Sequence, residues 1–150
     1  MPAPDPRITR FIGEHHIMTL AVARDGEPWC ATCYYAWMKD PGLFVFTSDP
    51  ATRHIRDTAD GGRYRVAGAI ALETKIVGLI RGVQFTGTIR EPAGEEAEAA
   101  RRRYLRRFPV ARMVPGLHLW LLEPDLIKMT DNRLGFGKKL TWTPSSTGIA

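Results

Sequence analysis

The chain has 150 residues, 44% of them apolar and 25% charged, and a formal charge of +5. These values fit one ordinary globular domain spanning residues 1–150 and exclude a disordered or fibrous chain. No apolar run approaches the ~20 residues that span a bilayer, and the start Met-Pro-Ala-Pro-Asp-Pro lacks an apolar signal core, so a cytoplasmic protein with no membrane partner is expected.

Residues 1–6 read as a Pro-rich flexible tail, followed by a helical pattern from Ile8 to His15. Ile17–Ala23 reads as a strand, Asp25-Gly26 as a hairpin turn, and Trp29–Trp37 as a second strand rich in aromatic and small residues. The two cysteines, Cys30 and Cys33, form a C-x-x-C inside that strand. Their odd spacing places them on opposite faces, and no second pair completes a zinc site, so they read as structural. Lys39–Gly42 is a further turn, and Leu43–Thr47 completes an antiparallel meander.

A helix start is expected at Asp49-Pro50, with Asp as N-cap and Pro in the first helical position. Thr52, Arg53 and His54 then fall in its first turn, where free amides and the positive helix end favour an anion. The segment is a candidate phosphate seat. The same residues also fit a helix that Asp49 merely caps, with Arg53 and His54 in solvent, and spacing alone leaves both readings open.

Gly61-Gly62 breaks the chain, and Tyr64–Leu72 with Ile76–Ile89 reads as a longer hairpin. Gly78, Gly82 and Gly87 within its second strand mark a bulge, a barrel bend or close approach by a ligand. Gly94–Arg107 is the clearest helix, acidic in its first turn and basic in its last, with an i,i+4 pair from Glu98 to Arg102. Its arginine run reads as a solvated face in preference to a nucleic-acid surface. Leu117–Leu122, Leu126–Thr130 and a segment from Gly135 to Trp142 read as strands, and residues 144–150 as a flexible tail. Seven or eight strands with short helices between them point to a mainly β protein, a closed or nearly closed barrel, with a sandwich as the alternative. The four histidines show no metal-binding spacing.

This element order, with Leu43–His54, resembles the FMN-binding split barrel of the pyridoxamine-phosphate oxidase-like superfamily, an antiparallel, Greek-key-like barrel of six to eight strands. In that superfamily's phosphate segment (strand, Thr, three residues, Ser/Thr, Arg, Lys), Ser48 takes the Thr position, Thr52 the Ser/Thr, Arg53 the Arg and His54 the Lys. Ile80–Gly87 is similar to the strand that follows. Ala51–His54, Leu79–Phe85, Arg107–Met113 and Thr130–Lys139 resemble the signatures of the uncharacterised YhbP-like family, and the likeness spans residues 8–142. The resemblance implies a homodimer with FMN at its interface. It implies a phosphate held at Thr47, Ser48, Thr52, Arg53 and His54, and a ring walled by Tyr34, Tyr35, Trp37 or Phe85. Gln84 would meet the ring edge, Gly82 would admit close approach, and Lys138 would reach the ring or a substrate.

Heme or a deazaflavin stands as the alternative cofactor, because related split barrels accept them. Two departures narrow the activity. The strand Trp29–Trp37 lacks the Arg and Lys that pyridoxamine-phosphate oxidases carry there, and their C-terminal Trp/Arg signature is absent. The implied activity is therefore an FMN-dependent oxidoreductase acting on another small molecule. A non-catalytic flavin carrier or redox sensor and a basic nucleic-acid-binding barrel are the alternatives. No nucleophile–base pair stands out, as suits a protein whose cofactor carries the hydride chemistry.

Overall fold

A computed structural model describes residues 2–58 and 64–144. Its elements are α1 (Pro6–Glu14), β1 (Ile17–Arg24), β2 (Glu27–Met38), β3 (Leu43–Thr47), α2 (Arg53–Arg56), β4 (Tyr64–Ala71), β5 (Arg81–Arg90), α3 (Gly94–Arg107), β6 (Leu119–Asp131) and β7 (Lys139–Trp142). Short 3-10 turns lie at Val77–Leu79, Pro109–Met113 and Asn132–Leu134. The strands pair antiparallel in the order β3-β2-β1-β4-β5-β6-β7, and β3 also pairs with β6. That last pairing closes a six-stranded barrel, with β7 added on the outer edge of β6. Placing β4 beside β1 after three consecutive strands makes the Greek key.

Period-two alternation fills the barrel. Met18, Leu20 and Val22 of β1 and Cys33, Tyr35 and Trp37 of β2 point inward. At the centre Phe44 stacks on Phe85, with ring centroids 4.7 Å apart, and meets Tyr35 and Trp37 edge-on at 5.4 and 4.8 Å. Gly68 makes this stack possible, since a Cβ there would lie 2.3 Å from the Phe85 ring. Helix α1 buries Ile8, Phe11 and Ile12 against the same core, and the Tyr35 hydroxyl donates to the Ile12 carbonyl at 2.6 Å.

A second core lies outside the barrel wall. Ala36, Leu43, Val45 and Leu121, on the outer face of β2, β3 and β6, pack against Ala100, Tyr104 and Leu105 of α3 and Ala111 after it. Two arginines of the run fasten this helix. Arg103 Nε donates to the Trp37 carbonyl at 2.8 Å, and Arg107 donates to the carbonyls of Gly13 and His15.

Several expectations change in the folded chain. Residues 2–6, expected as part of a flexible tail, make contacts: Pro4 is buried, Asp5 caps α1 by accepting from Arg7 N at 2.8 Å, and the Pro2 carbonyl accepts from Trp142 Nε1 at 2.8 Å. The two strands expected at Leu117–Leu122 and Leu126–Thr130 are one, β6, running through Pro124. Proline is tolerated there because the β5–β6 register shifts between Thr86 and Gly87, and a bulge releases the ladder bond that proline cannot donate. Gly87 sits opposite Pro124, and a Cβ on it would come within 2.5 Å of the Glu123 carbonyl. The strand expected from Ile76 begins at Arg81, after a 3-10 turn, and the last strand begins only at Lys139. Gly61-Gly62 and residues 145–150 lie outside the described residues.

Candidate functional site

The chain leaving β3 is pinned to β6. Thr47 Oγ1 donates to the His118 carbonyl at 2.8 Å, Ser48 N donates to the same oxygen at 3.3 Å, and Trp120 Nε1 donates to the Ser48 carbonyl at 2.9 Å. A turn follows instead of the expected helix start. The Asp49 carboxylate accepts from Ala51 N at 2.7 Å, and the Asp49 carbonyl accepts from Thr52 N at 3.0 Å and Thr52 Oγ1 at 2.7 Å. Asp49 therefore caps its own turn, and α2 begins three residues beyond Pro50, with Thr52 at the cap position. One helical turn has little dipole, so attraction for an anion rests here on side chains.

Two of these side chains, Ser48 and Thr52, are half-buried and meet at His54. The Arg53 guanidinium lies apart from that contact, 4.3 Å above the Trp29 ring with its Nε 3.2 Å from Asp57, and its side chain stays 42% exposed. His54 turns inward and is 9% exposed, with Nε2 2.5 Å from Ser48 Oγ, 3.4 Å from Thr52 Oγ1 and 4.0 Å from Cys33 Sγ. Burial holds its imidazole below its usual pKa of 6.5, so it is neutral at pH 7. His54, which the resemblance aligns with a lysine, stands behind the two hydroxyls. Cys33 shares this pocket, and burial pushes its thiol up to about 11, partly opposed by the Ser48 hydroxyl. That keeps the sulfur protonated and inert, in line with a structural role.

The expected ring wall divides. Tyr35 and Trp37 are 0% and 4% exposed in the barrel interior and line no outer groove, whereas Phe85, 2% exposed, also borders the groove on the outer face of the sheet. Tyr34 points the other way, 56% exposed, with its ring edge-on to Phe108 at 5.5 Å. Gln84 also faces outward, on the side of β1, β4, β5 and β6 that α3 leaves bare. Two cross-strand rows meet there, Thr19–Ala69–Gln84–Lys128 and Ala21–Ala67–Thr86–Leu126, and they line a groove of about 360 Å³. Gly82 faces the neighbouring strand, since a Cβ on it would lie 3.2 Å from the Ile70 carbonyl. Lys138 sits in the turn between β6 and β7, accepting from Asp131 N at 3.0 Å through its carbonyl, and does not line the groove. Lys128 does. The signal that would have found this face is alternation: the outward positions of β1 and β4 carry Thr and Ala where solvent-facing strands usually carry charge.

A larger cleft, about 600 Å³, lies among the N-terminal prolines, the Lys39–Gly42 turn and Trp142. Its Arg90 is already paired with Glu96 at 2.5 Å and Glu123 at 3.4 Å, and its lining is rich in proline, so it lacks the donor set of the turn at Ser48–Arg53. Among the described residues no cluster of three His, Cys, Asp or Glu side chains is placed to hold a metal, and no helix is long and apolar enough to cross a membrane.

Comparison with known proteins agrees with this architecture. The pyridoxamine 5'-phosphate oxidase family profile matches residues 4–131. A UPF0306 protein of Klebsiella pneumoniae strain 342 is 48% identical over 135 residues, covering 90% of each chain. The UPF0306 protein YhbP of Escherichia coli O157:H7 is 44% identical over 139 residues, 93% of this chain and 92% of that one. Among solved structures, a heme binding protein from Mycobacterium smegmatis superposes with a TM-score of 0.73 at 22% identity, over 89% of this chain and 55% of its own length. A FAD-binding protein from Mesorhizobium loti superposes with a TM-score of 0.60 at 14% identity, over 82% of this chain and 91% of that chain.

Proposed function

We propose, for a chain that belongs to the pyridoxamine 5'-phosphate oxidase family together with the UPF0306 proteins, that it binds FMN between two copies of itself and serves as an oxidoreductase of a small molecule. The observation that carries this reading is the turn at residues 48–53, one short segment that holds the Ser48 and Thr52 hydroxyls at His54 and leaves the Arg53 guanidinium half-exposed. A guanidinium and a free hydroxyl are donors that a phosphate monoester accepts from; the Thr52 proton is given to the Asp49 carbonyl, so Arg53, and Ser48 when its hydroxyl is released from His54, are the donors that fit the cofactor. Ser48 and Arg53 would hold the phosphate. The groove of Thr19, Ala21, Ala69, Gln84 and Thr86 offers a flat, weakly polar bed for the ring, with Lys128 at its edge. When bound, the flavin would supply hydride or electron transfer, and the protein would orient it.

Magnitudes favour this division of labour. Micromolar affinity requires about −8 kcal/mol, and one charge-assisted phosphate bond contributes about 1.5–3 kcal/mol. The phosphate turn alone falls short, so ring burial must supply the remainder. A second copy would complete that burial by covering the bare sheet face. Ile76, Val77, Leu79, Ile80, Leu134 and Phe136, all more than 40% exposed, add apolar surface beyond the barrel wall that a partner would shield.

Heme, the second reading, requires an axial ligand. His54 Nε2 is held by Ser48, whereas His15 bonds the Phe11 carbonyl through Nδ1 at 2.7 Å, which leaves its Nε2 for a ligand. A nucleic-acid surface on α3 loses Arg103 and Arg107, which bond backbone carbonyls. Titration of the apoprotein with FMN, followed by flavin fluorescence, tests the proposal. Arg53→Ala is expected to weaken binding at least about tenfold, and unchanged affinity would remove Arg53 from the site. Bleaching of the bound flavin by NAD(P)H would then distinguish an oxidoreductase from a passive carrier.

A further inference from the structure

The hydroxyl of Ser48 has one proton, and His54 decides where it points. Thr52 Oγ1 already donates to the Asp49 carbonyl at 2.7 Å, so toward His54 it can only accept. When Nε2 of His54 carries no proton, it must accept from Ser48 Oγ, 2.5 Å away, and Ser48 then has nothing to donate to an anion. When Nε2 carries a proton it donates to Ser48 Oγ, and the hydroxyl is released to point outward.

We propose that His54 is a positioning residue for the phosphate site, and that binding an anion at Ser48–Arg53 draws a proton onto its Nε2. This rests on the reading of that turn as the phosphate seat. Two forms of His54 carry a proton on Nε2 and release the Ser48 hydroxyl: the neutral Nε2–H tautomer, reached with no proton uptake, and the imidazolium. Bound negative charge favours the imidazolium, and the proton count on binding separates the two, zero uptake being the mark of the tautomer. The surroundings set a low starting point: burial keeps the free imidazole neutral. The Cys33 thiol from β2 stays protonated, Arg53 and Arg56 on the same helix disfavour a further cation, and Asp49 and Asp57 favour one. Arg24 at the end of β1 donates to the Arg56 carbonyl, and His118, just before β6, lies 3.4 Å from Glu91. The proton comes from solvent, with no other bond made or broken.

The test is calorimetric titration of the apoprotein with FMN in two buffers of different ionisation heat, above about pH 7, where the phosphate is already dianionic. The native protein is expected to take up close to one proton per FMN, and its affinity to fall by up to about tenfold per pH unit. Riboflavin, which lacks the phosphate, is expected to take up none. His54→Gln supplies a permanent neutral donor to Ser48, so it should bind FMN with neither proton uptake nor that slope. Zero uptake by the native protein, or equal uptake by His54→Gln, overturns the proposal. If His54→Gln does not fold, the native proton count decides alone. Absence of FMN binding at every pH would overturn the cofactor reading instead, and the same titration with inorganic phosphate would then decide the role of His54.

Discussion

The two halves of the barrel's outer surface obey the same alternation and meet different fates. Over β2, β3 and β6 the outward residues Ala36, Leu43, Val45 and Leu121 are at most 3% exposed, because α3 covers them. Over β1, β4 and β5 the outward residues Thr19, Ala21, Ala67, Ala69, Gln84 and Thr86 form a groove that no part of the described chain covers. The covered half is strongly apolar, and its burial holds the fold together. The bare half is small, flat and nearly uncharged. That composition contributes little to folding and lacks the charge by which ordinary solvent-facing strands are protected from association.

The sharpest way to break this contrast is to truncate one side chain on each half. Leu121→Ala should cost about 2–5 kcal/mol of stability in urea denaturation, whereas Leu126→Ala should stay within about 0.5 kcal/mol in the absence of ligand. The cysteines give the next largest effect. Cys30 is exposed on the outward face, paired in register with Ala21, whereas Cys33 is buried with its thiol pushed up to about 11. Iodoacetamide should alkylate Cys30 faster by on the order of a hundredfold, and FMN or dimer formation should slow that reaction. Equal rates would mean that the inward half of β2 opens freely.

Ala67→Arg places a charge in the middle of the bare face. It should leave the fold intact, weaken FMN binding at least about tenfold, and shift a dimer toward monomer in sedimentation; a dimer with native affinity would move the interface elsewhere. The smallest effect concerns acid. His54 has a depressed pKa in the folded state, so its contribution is fully present above the unfolded value of 6.5 and is lost as pH falls through that value toward the folded one. Thermal denaturation of the free protein should therefore show a modest loss on acidification, absent in His54→Gln.

Much of the fold was legible before any coordinates. The meander of β1 to β3, the turn at Asp25-Gly26, the limits of α3 and the membership carried by four ordered motifs follow from local rules: alternation, turn chemistry and helix dipole. The segment after β3 was legible as a polar turn, and the structure brings Ser48 and Thr52 together at His54. The larger cleft, by contrast, was not foreseen.

What only the tertiary structure decided is which side of each strand faces what. Alternation in β2 shows that Tyr34 and Tyr35 diverge, but both faces of this strand are aromatic, so pattern alone cannot say which enters the barrel. The same holds for His54, whose place depends on Cys33 and Ser48 arriving from β2 and β3, and for β6, whose passage through Pro124 depends on a bulge in its neighbour. Local sequence sets the conformational preference of each segment; the faces, the burial and the polarity of each hydrogen bond depend on partners distant in sequence, and these are assigned only when the barrel closes.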